Sequence, residues 1–153
     1  MTAIAVDLDV LGDTGTLWRA WLADASRRYR VDGLERFAHD PSGVEDELDA
    51  RLGNWRPLLE RFAEDNAGAH LRPTAEVNTA LRRLQAAGVR VGAFTDRPEP
   101  LARVAAAQLA VARRLDALEA GPGSLELLLQ RLGPGAETIT SLAELETASA
   151  APQ

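Results

Sequence analysis

The most constraining feature of this sequence is a series of short apolar runs separated by segments with the period of an α-helix. The first run, residues 3–8, is rich in branched side chains and is bounded by acidic residues, which is typical of a strand buried on both faces. A second apolar run follows at 89–95, and the shorter segments 117–120 and 137–140 are predicted as the third and fourth strands. This alternation predicts an α/β fold with a Rossmann-like parallel sheet, right-handed crossovers and helices on both faces.

Residues 14–70 differ from the rest because they contain helical patterns and no run typical of a strand. The sequence therefore predicts a small all-helical domain at 14–70, inserted after the first strand, and an α/β core at 1–13 and 71–147. Residues 148–153 are mostly small and predict a disordered tail. The first helical pattern carries an aromatic stripe, interpreted as the core of the insertion or a dimer face rather than a substrate platform: Trp18, Trp21 and Tyr29.

Composition excludes several kinds of site. The 153 residues include no cysteine and no lysine, so all 17 basic side chains are arginines. A thiol nucleophile, a cysteine-containing zinc site, a Schiff-base lysine and a phosphate-loop lysine are therefore excluded. The net charge of -6 predicts that nucleic acid is not a partner. The sequence shows neither a cationic leader nor an apolar stretch of membrane-spanning length, which predicts a cytoplasmic protein that does not bind membranes.

Candidate chemistry lies where the predicted strands end, because the carboxyl ends of parallel strands form the ligand-binding edge of such sheets. Asp7 and Asp9 follow the first strand, and two carboxylates at this position could serve as nucleophile and general acid/base and attract a hard cation. The alternative is that aspartates simply end strands and begin turns. Thr95 closes the second strand, where its hydroxyl could hold an anionic oxygen or serve only as a cap.

These residues resemble motifs of the haloacid dehalogenase (HAD) superfamily. The stretch 7–14, which begins Asp7-Leu8-Asp9, is similar to the first motif of that family shortened by one residue, with Val10 in place of a small or polar residue. The stretch 71–98, which contains Thr95, is similar to the second motif and its preceding helix. The resemblance spans nearly the whole chain, and it implies a HAD-like core in which residues 14–70 form a helical cap over the active site.

The resemblance also implies roles for individual residues. Asp7 would attack a phosphoryl group, Asp9 would protonate the leaving oxygen, and Thr95, with Asp96 and Arg97 beside it, would bind phosphate oxygens. Mg²⁺ would be the cofactor, bound at Asp7 and Asp9, with Glu144 as the remaining acid of the metal site. The implied reaction is hydrolysis of a small phosphorylated molecule through an aspartyl-phosphate intermediate, by a monomer or a homodimer.

Two departures from the family pattern bear on activity. The family's third motif supplies a lysine, whereas the matching stretch 118–123 has no basic residue, so Arg97 or Arg114 would have to reach the site. The acidic pair of the fourth motif is replaced by 139–141, and only Glu144 remains. Two hypotheses follow: a Mg²⁺-dependent phosphomonoesterase, or a catalytically silent relative that acts as a binding or regulatory module. The two histidines, His39 and His70, lie in predicted loops and are interpreted as solvated.

Overall fold

The computed structural model describes residues 2–150. Its centre is a parallel sheet of four strands in the order β3-β2-β1-β4. Each strand lies within one of the predicted segments, so the predicted sheet is confirmed. The strands are β1 (Ala3–Asp7), β2 (Arg90–Thr95), β3 (Ala117–Ala120) and β4 (Glu137–Ile139).

Eight α-helices and two short 3₁₀ helices, at 34–37 and 112–114, surround the sheet in the described part of the chain. Three of the α-helices fall between β1 and the second half of the core, within the predicted cap. The helices are α1 (Leu8–Leu11), α2 (Thr14–Arg28), α3 (Val44–Arg51), α4 (Arg56–His70), α5 (Ala75–Ala86), α6 (Glu99–Gln108), α7 (Ser124–Leu132) and α8 (Leu142–Ala150).

The two faces of the sheet are packed differently. On one face Ile4 and Val6 of β1 belong to a large buried cluster that includes the apolar sides of α5 and α6. On the other face Ala3 and Ala5 pack against α7. Here α7 comes so close to β2 that a Cβ at Gly92 would lie 2.5 Å from Leu128 Cδ1. Small residues on this face therefore allow a single helix to cover it at short range.

The cap has a core built on its three tryptophans. Trp18 and Trp21 lie with ring centroids 5.7 Å apart, and Trp21 and Trp55 with centroids 6.3 Å apart. All three are buried, with Trp18 Nε1 donating to the Phe37 carbonyl at 2.8 Å and Trp55 Nε1 donating to Asp49 Oδ1 at 2.7 Å. The aromatic stripe is thus the core of the insertion, and the half-buried Tyr29 packs at its margin.

Cap and core join along the line where α4 packs on α6, called here the α4–α6 seam. Both helices present small buried residues, which allow their backbones to approach: Ala63 and Ala67 on α4, and Ala102, Ala105 and Ala106 on α6. At the margin Arg103 forms ion pairs with Glu60 of α4 and Glu99. The buried cluster runs without interruption from the sheet through this seam to the tryptophans.

The structure departs from the sequence expectations at two helix ends. Leu101, Val104, Val111 and Leu115 have the spacing of one continuous helix, but α6 ends at Gln108 and Ala110 adopts φ 59°. The N–H of Val111 donates to the Ala106 carbonyl at 3.1 Å and that of Ala110 to the Ala107 carbonyl at 3.1 Å, which is a Schellman ending without the usual glycine.

The second departure is at the carboxyl end of the chain, where α8 continues to Ala150. The predicted tail therefore begins too early, because Ala148 is buried in the main cluster and holds the last turn. Residues 151–153 lie outside the described part of the chain. No helix of the described residues is both long and apolar enough to cross a bilayer.

Candidate active site

Asp7 is the last residue of β1 and the N-cap of α1. Its Oδ1 accepts the N–H of Asp9 at 2.9 Å, which fixes the carboxylate and satisfies one free donor of the helix end. Burial raises the pKa of Asp7, and the carboxylates of Asp9 and Asp96 raise it further, outweighing the lowering by the Asp9 N–H and by the Arg97 guanidinium. Asp7 is therefore a half-buried acid in a negatively charged environment.

Asp9 lies on α1 and is held by several donors. Its Oδ1 accepts the backbone N–H of Thr14 at 3.1 Å and also the Thr14 hydroxyl. Arg97 Nη1 lies 3.1 Å from Oδ1 and 2.9 Å from Oδ2, and it also donates to the Thr14 hydroxyl oxygen at 2.8 Å. Thr14 is fully buried at the start of the cap, so Asp9 lies where core, cap and Arg97 meet.

The second strand brings Thr95, Asp96 and Arg97 to the same sheet edge. Thr95 is buried, and its Oγ1 accepts the N–H of Arg97 at 3.3 Å. The N–H of Gly121, beyond β3, contacts the carbonyls of both Thr95 at 2.9 Å and Arg97 at 3.0 Å. These bonds join the ends of β2 and β3 and fix the turn that carries Asp96 and Arg97.

Arg97 is the basic residue that this site contains. Its side chain is 12% exposed, and its Nε is buried with no hydrogen-bond partner among the described residues. The guanidinium pairs with Asp9 and not with Asp7. Arg114, the other candidate, precedes β3 at the opposite end of the sheet, where Nη1 donates to Gln85 Oε1 at 3.1 Å. Arg97 is therefore the arginine near the two aspartates.

An open cleft of about 400 Å³ lies in front of these residues. Five predicted site residues line it together: Asp7, Asp9, Thr95, Asp96 and Arg97. Sequence reasoning missed the other side of the cleft, which is formed by His39 of the cap and by the start of α7. The turn of Gly-Pro-Gly at 121–123 before a helical pattern was the available signal for α7. The sequence contains no indication that His39 lies at the cleft, because its position there depends on how the cap packs.

Glu144 has a different role from the one expected. Its Oε1 accepts the N–H of Thr140 at 2.9 Å and the Ser141 hydroxyl at 3.3 Å, while the Ser141 oxygen accepts the N–H of Glu144 at 3.1 Å. This is a capping box that begins α8, and the Thr140 N–H is the main cause that lowers the pKa of Glu144. The pattern Ser-x-x-Glu was visible in the sequence. Glu144 thus caps a helix and does not join Asp7 and Asp9.

The fit of this site to magnesium depends on the two aspartates. Among residues 2–150, no three acidic or histidine side chains are placed to hold a metal ion together. Mg²⁺ nevertheless commonly uses only one or two carboxylates, with water and substrate phosphate as its other ligands. Burial is the main cause of the raised pKa of Asp7, and repulsion from the Asp9 and Asp96 carboxylates adds to it; a bound cation would relieve that repulsion. The residues present therefore fit a magnesium ion bound at Asp7 and Asp9.

Comparison with known proteins supports the fold. No family model matches this chain, and no curated protein matches it. Among solved structures, it is similar to one described as the "crystal structure of putative beta-phosphoglucomutase from Thermotoga maritima", with 18% sequence identity and a TM-score of 0.54. The similarity covers 97% of this chain and 82% of that one, so it includes both sheet and cap. At this identity the similarity shows the fold alone, a parallel α/β sheet surrounded by helices.

Proposed function

We propose that this protein is a HAD-like hydrolase that cleaves phosphomonoesters through an aspartyl-phosphate intermediate at Asp7. The observation that carries the proposal is the position of Arg97, whose guanidinium lies at the cleft against Asp9, 2.9 Å from its Oδ2. This arginine supplies the positive charge that the absent lysine would provide. The HAD-like fold, with both aspartates at the carboxyl end of β1, supports the same conclusion.

Asp7 is the nucleophile in this proposal. Because Oδ1 accepts the Asp9 N–H, Oδ2 is the oxygen directed to the phosphorus atom. Its attack forms the Oδ2–P bond and breaks the bond between phosphorus and the ester oxygen, which leaves with a proton donated by Asp9. Asp9 then accepts a proton from the water molecule that attacks the phosphorus atom, the Oδ2–P bond breaks and phosphate leaves, so that Asp7 and Asp9 both return to their starting states. Magnesium, bound at Asp7 and Asp9, would neutralise part of the phosphate charge.

The phosphate oxygens have three groups of donors around the cleft. The Thr95 hydroxyl and Arg97 lie at the end of β2. Across the cleft, Leu125 and Glu126 are in the first turn of α7, where backbone N–H groups lack partners within the helix and favour anions. Donors fixed before the reaction stabilise the charge that develops on the phosphoryl group, which is the largest contribution to catalysis in many such sites.

The alternative is a catalytically silent protein that binds a phosphorylated molecule in the same cleft. One observation favours it: both carboxylate oxygens of Asp9 contact Arg97, so the proton donor of the proposed reaction is already engaged as an anion. In this case the cleft would still bind the ligand through the same donors, with no turnover. The two candidate functions therefore use the same site. They differ in whether Asp9 can leave its ion pair with Arg97 and donate a proton.

Turnover of a panel of phosphomonoesters with Mg²⁺ is the direct test. We expect Asp7→Asn to abolish phosphate release and Arg97→Gln to lower kcat/KM by about 10²- to 10³-fold. Arg82→Gln, a change at an exposed arginine of α5, should leave the rate unchanged. A rate that is the same in Asp7→Asn and the wild type contradicts the proposal.

A second measurement separates the two candidates without knowledge of the substrate. Beryllofluoride imitates a phosphoryl group on an aspartate, so Mg²⁺ and beryllofluoride together should raise the Tm of the wild type and not of Asp7→Ala. Stabilisation with turnover supports the hydrolase. Stabilisation with no turnover of any phosphomonoester supports the silent protein. No stabilisation and no turnover contradicts both.

A further inference from the structure

We propose that His39 of the cap contacts the anionic group of the ligand, as the second basic residue of the cleft. The inference rests on the proposed function for the class of ligand, a phosphorylated molecule, and it adds the residue by which the cap recognises that ligand. His39 lines the same cleft as Asp7 and Arg97, although it is separated from them in the chain by more than one helix.

The position of His39 is set by the packing of the segment before it. The 3₁₀ helix at 34–37 buries Leu34 and Phe37 in the cap. The Phe37 carbonyl accepts Trp18 Nε1 at 2.8 Å, which fixes the backbone two residues before His39. Immediately after it, Asp40 Oδ1 accepts the N–H of Ser42 at 3.0 Å and closes a turn. His39 is therefore an exposed side chain on a segment that is fixed on both sides.

The acidic side chains that line the cleft outnumber the basic ones, so a second basic residue would help the cleft to bind an anionic ligand. Acidic side chains reach the cleft from four places: Asp7 at the end of β1, Asp9 in α1, Asp96 after β2, and Glu126 in α7. The basic residues that line it are Arg97 and His39.

Arg97 is already engaged by Asp9, so it neutralises one of the acids before any ligand arrives. A phosphate group would then approach the remaining carboxylates, which repel it. An imidazolium on the cap side offsets that repulsion and donates a hydrogen bond to a phosphate oxygen. His39 is thus placed to favour anionic ligands and to connect the ligand to the cap.

The test measures binding of inorganic sulfate, which keeps the same charge across the pH range in which histidine titrates. Dissociation constants are measured by calorimetry at pH 5.5 and pH 8.0 for the wild type, His39→Gln and His70→Gln. His70 is the matched control because it is the other histidine of the chain, exposed at the end of α4 and absent from the cleft lining. Equal Tm values of the three proteins without sulfate verify that the substitutions leave the fold intact.

We expect the wild type and His70→Gln to bind sulfate more tightly at pH 5.5, by on the order of fivefold, as for one partly exposed ion pair. His39→Gln should lose that difference. In the wild type at pH 5.5, added sulfate should also shift the NMR signals of the His39 imidazole and leave those of His70 unchanged. A pH difference that persists in His39→Gln, or the absence of sulfate binding by the wild type, overturns the inference.

The experiment also distinguishes this inference from the proposed function. Sulfate binding requires no turnover, so a dependence on His39 in a protein that hydrolyses no phosphomonoester would support the inference and contradict the hydrolase. Turnover that needs Asp7 but shows no effect of His39→Gln on sulfate binding or on KM would support the hydrolase and contradict the inference.

Discussion

The cap meets the core in two regions that are built in opposite ways. At the α4–α6 seam, buried alanines bring two helices together, and the apolar cluster continues from sheet to cap. At the cleft, His39 faces charged side chains across an open space of about 400 Å³. The difference shows that the cap is attached along one side by packing and presents polar groups on the other. The packing of the cap thus fixes the segment that carries His39 at the cleft.

The two regions also contribute to stability with opposite signs. Apolar burial along the seam and around the tryptophans stabilises the fold, at roughly 25 cal/mol for each Å² removed from water. At the cleft, a carboxylate is partly removed from water near other carboxylates, which raises the pKa of Asp7 and costs stability when the group is ionised. Apolar packing at the seam and around the tryptophans, away from the cleft, therefore offsets the stability that the ionised Asp7 costs.

The largest expected effect is that of Trp55→Ala, which removes a fully buried ring and its hydrogen bond to Asp49. We expect the free energy of unfolding to fall by about 3–5 kcal/mol in urea denaturation. Leu127→Ala is the control, because that side chain is 49% exposed and its loss should have little effect. If the variant instead melted in two separate transitions, the cap would be an independent unit and the continuity of the two cores would be refuted.

A smaller loss is expected when the seam is overpacked. Ala63 is fully buried on the side of α4 that packs inward, so Ala63→Leu forces the helices apart and should cost about 1–3 kcal/mol of unfolding free energy. Ala86→Leu, at an exposed position of α5, provides the same chemical change without a packed neighbour to displace. Equal stability of the two variants would show that the seam is loosely packed, contrary to the comparison above.

On the cleft side, removing the charge of Asp7 should stabilise the protein. The pKa of Asp7 is above 3.8 in the folded state, so the wild type loses stability as the pH rises from 3.8 through that raised pKa. Asp7→Asn retains a side chain that can cap α1 but lacks this loss, so its Tm relative to wild type should increase from pH 3.5 to pH 7.

A second aspartate provides a control of opposite sign for that measurement. Hydrogen bonds from Ser42 lower the pKa of Asp40, so its contribution to stability is present above 3.8 and lost as the pH falls through the lowered value. The Tm of Asp40→Asn relative to wild type should therefore decrease over the pH interval in which that of Asp7→Asn increases. If the Tm of Asp7→Asn relative to wild type decreased over this pH interval, as expected for Asp40→Asn, the raised pKa of Asp7 and burial as its main cause would be contradicted.

The smallest effect is expected for Glu144→Ala, at the capping box of α8. The variant should melt slightly below the wild type, because Thr140 and Ser141 lose the acceptor of their hydrogen bonds. Its affinity for Mg²⁺, measured by calorimetry, should be unchanged, as should that of Glu146→Ala on the same helix. A clear fall in Mg²⁺ affinity in Glu144→Ala alone would restore this residue to the metal site.

The sequence was sufficient to predict the sheet, because β1 and β2 are apolar runs that end at the polar residues Asp7 and Thr95, and helical segments separate the four strands. It also placed Asp7, Asp9, Thr95, Asp96 and Arg97 at one edge, because the edge follows from parallel topology alone. The end of α6 was not predicted, because the helix stops at Gln108 and Ala110, just beyond it, adopts a conformation normally taken by glycine.

Other parts of the site could not be found along the chain because they depend on distant segments. His39 reaches the cleft through the packing of the cap, and the pairing of Arg97 with Asp9 joins the turn after β2 to α1. Glu144 was assigned wrongly for a different reason. Its position in the sequence fits both a metal ligand and the glutamate of a capping box, and in the structure it makes the local hydrogen bonds of the capping box.

The hydrogen bonds between Asp9 and Thr14 have a mechanical consequence. Thr14 is the first residue of α2, and both its N–H and its hydroxyl are bound to the Asp9 carboxylate. Any tilt of the cap about the loop at residues 12 and 13 would therefore pull on the Asp9 carboxylate and, through its hydrogen bonds, on the guanidinium of Arg97. The first turn of the cap and the Asp9 carboxylate would move as one unit.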